Sequence, residues 1–326
     1  MNNPKALILL QRVQVQNANA ISGPLTWGFP SPTAFSGFVH ALQRRLANEL
    51  EEGFGGVGII CHKFEPQVSK PAGKYTQVFN LTRNPVGKKG ETLAIVEEGR
   101  AHMEVSLVFA LHDYLDEEDS EDFLEKLIIA VHTLRLAGGS ILPQRQGKRY
   151  DAQYWPLPQD QAGLDETFRK LRRHLLPGFA LVQREDQLQG HLNEMRTVEE
   201  NSQANALDAL LDLSRLNIEP GEANPDKPDE TVWSVRAHPG WLVPIPVGYA
   251  AISPLHEPGE VLNARDENTP FRFVENLYSL GEWLSPHRLT TLQQLLWHEH
   301  TDVESGIYCC VNRYPDYLTN TTNNNT

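Results

Sequence analysis

The chain has 326 residues, with 42 acidic and 29 basic side chains and a formal charge of -13. An apolar share of 40% is enough to bury a core, which excludes wholesale disorder. The length allows one large domain or two ordinary ones of roughly 100–200 residues. The net acidity points away from a nucleic-acid binder, whose domains tend to be basic.

Ala6 to Val15 reads as a strand, apolar at first and then alternating. An Asn-, Gly- and Pro-rich loop, Asn17 to Pro30, follows it. Ser31-Pro32 has the form of a helix start, an N-cap serine before a proline at the first helical position. The helix expected from Thr33 to about Leu50 puts Phe35, Phe38, Val39, Leu42 and Leu46 on one face. Val57 to Phe64 is a short buried-type strand. Tyr75 to Thr82 and Leu93 to Glu98 flank a turn-rich tip, Arg83 to Gly90, and predict a hairpin arm within about 75–101. Ala101 to Leu111 alternates as a strand, and Ser120 to Leu136 has helical spacing that stops at Gly138-Gly139. Ser140 to Leu142 turns back into a strand. The order βαββαβ predicts a modified ferredoxin-like or RRM-like domain over residues 1–150, with an inserted hairpin arm.

Residues 151–318 predict an irregular α+β C-terminal half, so the fold class is α+β. Helices are expected at Asp165 to Leu176, Glu185 to Arg196, Ala204 to Arg215 and Pro286 to His298. Strand-like pieces occur at Phe179 to Val182, Val232 to Arg236 and Trp241 to Tyr249, with a further segment at Phe271 to Leu280. Residues 219–230 form an acidic linker, and 319–326, nearly all Asn and Thr, read as a disordered tail.

The charge is unevenly placed. Asp113 to Glu125 holds eight acids and no base, and Glu219 to Glu230 holds five acids and one lysine; outside them stand 29 acids and 28 bases. Leu127 to Tyr150 carries Arg135, Arg145, Lys148 and Arg149 with no acid. Lys63 to Gly90 carries six bases against Glu65 alone. Phosphate contacts follow local charge of this kind, not the whole-chain sum.

No active-site motif stands out. The glycines of Gly53 to Gly58 precede a strand instead of opening a helix, and Val86 to Thr92 lacks the P-loop spacing. His298-Glu299-His300, taken as helical, would splay its imidazoles apart. His102 with Glu104 lacks a third metal ligand. His62, Lys74 and Tyr75 are the residue types of a metal-independent ribonuclease, but they are too common to single out a site. Trp27, Phe29, Trp241 and Trp283 read as core or interface aromatics. Cys61, Cys309 and Cys310 are an odd count without paired spacing, which predicts reduced thiols of a cytoplasmic protein. No run approaches the ~18 apolar residues of a membrane span. These residues by themselves suggest an RRM-like RNA-binding protein with no metal or cofactor.

Several longer words are distinctive: Gln16 to Ser22, Pro24 to Pro32, Phe79 to Pro85, Ile95 to His102, Arg135 to Pro143, Gly240 to Pro246, Phe273 to Leu277 and Gly281 to Arg288. With them the chain resembles, from about Leu7 to about Trp297, the family of the second Csy subunit of type I-F CRISPR surveillance complexes. That family is the Cas-five-like, repeat-associated (RAMP) member of the assembly. The resemblance implies a non-catalytic subunit that holds the 5′ handle of the CRISPR RNA. It implies pairing with the large subunit, contact with a backbone Csy subunit and, through the assembled complex, with target DNA, with no membrane partner. The competing reading is a RAMP endoribonuclease that processes precursor CRISPR RNA.

On the matching words, Gly138, Gly139 and Ser140 would let an RNA backbone approach closely. Asn17 and Asn19 would meet base edges. Arg83, Asn84, Lys88 and Lys89 on the arm, and Arg145 beyond the glycine turn, would clamp phosphates. Asn276, His287 and Arg288 would contact RNA or a neighbouring subunit. Exposed apolar residues such as Trp283 would require a neighbour.

Overall fold

The computed structural model describes residues 3–83, 86–143, 150–221, 231–236, 238, 240–264 and 266–318. Its N-terminal part runs β1 (Ala6–Asn19), α1 (Pro32–Arg45), β2 (Phe54–Pro66), β3 (Arg100–Leu111), α2 (Glu117–Thr133) and β4 (Gly139–Leu142). The strands pair in the order β4-β1-β3-β2, all antiparallel. The chain order βαββαβ is therefore present as the apolar periodicity predicted.

The apolar starts of β1 and β3 have a direct cause, because side chains alternate between faces along a strand. Ile8, Leu10, Leu107, Phe109 and Leu111 enter one core beneath α1 and α2. Leu7, Leu9, Val108 and Ala110 enter a second core against the helix α3 (Gln161–His174). Both faces are covered there, so the run reads as continuous apolar sequence.

The C-terminal half extends the same sheet. β5 (Gln153–Pro156) pairs with the start of β1. β6 (Phe179–Gln183), β7 (Leu242–Ala251), β8 (Val274–Leu284), β9 (Leu296–Asp302) and β10 (Ile307–Asn312) form the circuit β2-β9-β10-β7-β8-β6, which closes by a β6–β2 pairing. Inside it the Trp297 indole N–H donates to the Leu181 carbonyl at 2.8 Å. The amides of Gln183 and Asn312 satisfy each other's backbone. Helices α4 (Glu185–Arg196) and α5 (Ala206–Ser214) enclose a small third core with Leu280. Among the described residues no helix is long and apolar enough to cross a membrane.

Several local expectations are corrected. The Pro286 to His298 helix is instead two short 3-10 turns, Pro286–Arg288 and Leu292–Gln294, followed by β9. Its apolar spacing came from Leu292, Leu295 and Leu296, which pack against α3. Pairing with β2 and β10 pulls the rest into the sheet. α2 starts three residues earlier than its spacing suggested, because Asp116 caps it by accepting from the Asp119 N–H at 2.9 Å. Glu117, Glu118 and Asp119 then sit at the positive end of the helix dipole. Asp113 is buried and accepts from the N–H groups of Glu51, Glu52 and Gly53. Part of the acidic segment is thus internal structure, not solvent-facing charge.

Trp283 is also not left open. It is half-buried and stands edge-on to Phe29 with ring centroids 4.9 Å apart. Nearly all of the linker (222–230) and the whole tail (319–326) lie outside the described residues.

Candidate nucleic-acid interface

The expected loop after β1 is in its first part strand. β1 continues to Asn19, pairing Ala18 with Ala101 and Asn19 with Arg100. The Asn19 N–H donates to the Ala137 carbonyl, and the Ala20 N–H donates to the Gly99 carbonyl, both at 2.8 Å. Three segments therefore meet: the end of β1, residues 97–99 with the first residue of β3, and the turn before β4. They enclose a cleft of about 430 Å³ whose lining includes Asn17, Asn19, Arg100, Arg135 and Gly138.

The glycine turn is a β-hairpin, not a helix cap. α2 has ended at Thr133, and Arg135–Leu136 pairs with β4 across Ala137 and Gly138. These two residues have φ of +49° and +75°, the backbone that two-residue type I′ hairpins require. Gly139 is buried against β1. A Cβ there would lie 2.7 Å from Val15 Cγ1 and 2.8 Å from both the Ala18 nitrogen and the Gln16 oxygen. Gly138 and Ser140 are exposed. The close approach that glycine permits is thus, at Gly139, an approach of β1, while Gly138 faces the open cleft.

The polar groups here are partly committed. Asn19 uses its amide on Ile21, accepting from its N–H at 3.0 Å and donating to its carbonyl at 2.7 Å. Asn17 accepts from the Gln67 amide, and its N–H donates to His102 Nδ1 at 3.3 Å. Arg100 is ion-paired with Glu98, and this hydrogen bond is the first cause that holds the Glu98 carboxyl below its ordinary range. Arg135 donates to the Gly138 carbonyl at 3.3 Å. The Glu97 carboxylate accepts from the Phe79 N–H at 3.1 Å. Two guanidiniums and two carboxylates thus share the cleft, so its formal charge is balanced.

Beyond the cleft the sheet face turns polar. Gln14, Gln16, Lys63, Glu65, His102 and Glu104 line a second hollow of about 270 Å³. Arg12 pairs with Glu104 at 2.6 Å at its margin. Sequence reasoning left Arg12, Gln67 and Arg100 out of the site and weighed His102 only for metal. The readable signal was parity: Arg100, His102 and Glu104 are alternate residues of β3.

The other candidate residues are dispersed. The arm is built from two ladders, Val68–Ser69 with Val78–Phe79 and Leu81–Thr82 with Val96–Glu97. It therefore begins earlier than the expected 75–101. Arg83, Lys88 and Lys89 are exposed on its outer part, where the Lys89 N–H donates to Glu91 at 2.9 Å. Asn84 and Arg145 lie outside the described residues. Asn276 lies on β8 and faces the loop at Gly23. His287 and Arg288 are exposed in a 3-10 turn beside α3, where the His287 carbonyl accepts from Arg172 and Arg288 lies 3.7 Å from Glu282. None of these three lines the cleft.

The ribonuclease-type trio is likewise apart in role. His62 bridges the Pro177 carbonyl and the Ser106 hydroxyl, both at 2.6 Å, and burial holds it below the ordinary histidine range. Tyr75 is 97% exposed under Lys70 on the arm. His298 and His300 sit on a strand, not a helix, so they share a face; Glu299 pairs with His40 at 2.9 Å. Among the described residues no group of three His, Cys, Asp or Glu side chains is placed to hold a metal ion.

Comparison with known proteins supplies the family. The profile described as "CRISPR-associated protein (Cas_Csy2)" matches residues 8–310. The chain is 54% identical over 320 residues to the CRISPR-associated protein Csy2 of Pseudomonas aeruginosa (strain UCBPP-PA14), an alignment that covers 94% of this chain and 95% of that protein. A match that spans both ends of the sheet and the whole cleft shows that this chain belongs to the Csy2 family of CRISPR-associated proteins.

Proposed function

We propose that this protein is a non-catalytic RNA-binding subunit of a type I-F CRISPR Csy complex, holding the 5′ handle of the CRISPR RNA and pairing with the large subunit. One observation carries the reading: Asn17 and Asn19 at the end of β1 line one cleft with Gly138 of the hairpin turn and with Arg100 and Arg135. The strand order β4-β1-β3-β2, with a polar sheet face beside that cleft, supports an RRM-like RAMP architecture for residues 1–150. The arm adds exposed Arg83, Lys88 and Lys89 for phosphates, while α3 covers the apolar end of the same sheet face and leaves its polar end, at Arg100, His102 and Glu104, beside the cleft.

The mixed charge of the cleft suits a short single-stranded segment shared with partner subunits. The full-length chain, co-expressed with CRISPR RNA and candidate partners, should elute with the RNA. The Arg100→Ala, Arg135→Ala double variant should lose RNA affinity and flatten its salt dependence. Unchanged affinity and slope would refute the site. Cleavage of a repeat-containing transcript at a fixed position in EDTA would establish the endoribonuclease reading instead.

A further inference from the structure

Trp27 lies just outside the cleft and does not behave as a core residue. It is 54% exposed, although it sits in a closely pinned loop. The Gly28 N–H donates to the Ala20 carbonyl at 2.7 Å, and the Leu25 N–H donates to the Tyr278 hydroxyl at 3.2 Å. Gly23 bridges to Thr26, so both sides of the tryptophan are tied down. Its ring stands edge-to-face with Phe79 of the arm, centroids 5.3 Å apart at 88°.

That contact also links Trp27 to the cleft wall. Phe79 and Ile21 both crowd Gly99, where a Cβ would lie 2.4 Å from Ile21 Cγ1 and 3.3 Å from Phe79 Cζ. Gly99 and Ile21 are themselves lining residues, together with Arg100 and Arg135. A half-exposed indole in a pinned loop is therefore linked, through Phe79 and Gly99, to the cleft wall that carries Arg100. Large aromatics held open in this way lose little side-chain entropy when a flat partner covers them.

From this geometry we infer that Trp27, buttressed by Phe79, is a stacking platform for one unpaired nucleobase at the rim of the cleft. This rests on the RNA-binding reading above. Every base has a π-face, so the platform contributes affinity without choosing sequence, whereas Arg100 and Arg135 hold the flanking phosphates. The buttress is supplied by the arm, so the platform also makes arm placement part of RNA binding.

The test uses the full-length chain and a short single-stranded RNA from the 5′ end of the CRISPR RNA, with each position in turn made abasic. Trp27→Ala should weaken binding about tenfold, the range found when a base-stacking aromatic is removed, while Trp27→Phe should keep most of it. One abasic position should cost the intact protein a similar factor and cost Trp27→Ala nothing more. Where Trp27→Ala lowers the melting temperature, the Trp27→Phe variant and the abasic scan on the intact protein decide.

Unchanged affinity in Trp27→Ala, or abasic penalties that add to it at every position, would overturn the platform. So would loss of partner-subunit co-purification with RNA affinity intact, since that marks a protein contact. The Arg100→Ala, Arg135→Ala variant separates the two claims. If it alone binds normally, the cleft reading fails and the stacking site stands.

Discussion

Gly139→Ala is the most direct probe of how the cleft is held. The new Cβ would fall 2.7 Å from Cγ1 of the buried, β-branched Val15 and 2.8 Å from the Ala18 nitrogen and the Gln16 oxygen, backbone atoms that cannot move without the strand. Those backbone atoms belong to β1 beside the Gln16–Ser140 pairing. The two strands must part by about half an ångström, and overpacking of this kind costs about 1–3 kcal/mol. The Asn19 to Ala137 hydrogen bond that closes the cleft lies on the same contact, so binding of the handle RNA should weaken with stability. Gly138→Ala is the control: nothing lies within 4 Å, and the cost is only that of φ at +75°, about 1–2 kcal/mol for a residue with a Cβ. Ala137 already tolerates φ of +49°. Urea unfolding with equal m values, read beside RNA affinity at fixed salt, distinguishes them. A Gly139→Ala stability within about 0.5 kcal/mol of the parent, below the usual range for overpacking, would refute the reasoning. So would a Gly138→Ala variant that loses more affinity than Gly139→Ala.

Two further outcomes follow from buried charge. Glu282 is 1% exposed and pairs with Arg184, which lies over the Tyr314 ring and also holds Asp186. Glu282→Ala leaves that guanidinium with Asp186 as its remaining carboxylate partner. It should cost about 1–3 kcal/mol for the lost buried charged hydrogen bond, below the about 3–5 kcal/mol of a fully unpaired buried charge. The Arg184→Met, Glu282→Leu pair should cost less than Glu282→Ala alone, and a larger loss in the double variant would show that the ion pair is not the cause. His62 and His298 are both held below the ordinary histidine range, chiefly by burial. The unfolded chain therefore takes up protons first, and stability should fall as pH drops below about 6.5, the unfolded histidine value. A His62→Gln, His298→Gln double variant should show a shallower decline between about pH 7.5 and 5.5 on that reference; an unchanged slope would remove these histidines as its source.

Local chemistry made much of the fold legible. Ser31-Pro32 begins α1 as read, with the serine hydroxyl accepting from Thr33, because capping needs only residues near in sequence. The βαββαβ order followed from apolar period alone. The C-terminal strands were harder to read: Leu292 to Trp297 has the spacing of a helix face, and only pairing with β2 and β10 makes its end a strand. The glycines at 138 and 139 promised a sharp turn in any fold, but whether they cap a helix or close a hairpin depended on where α2 stopped.

The candidate site divides in the same way. Words in the sequence carried the family resemblance, and Asn17, Asn19 and Gly138 came with it. That these three share a cleft with Arg100 and Arg135 was decided by tertiary structure, since β1 must run past its expected end and pair with β3 for the walls to meet. Charge shows the difference most plainly. Composition fixes the total of -13, but folding turns Asp113 inward onto three backbone N–H groups and sets Glu117 to Asp119 at the N-terminus of α2. Sequence determines which charges exist; burial and the helix dipole determine which of them a nucleic acid would meet.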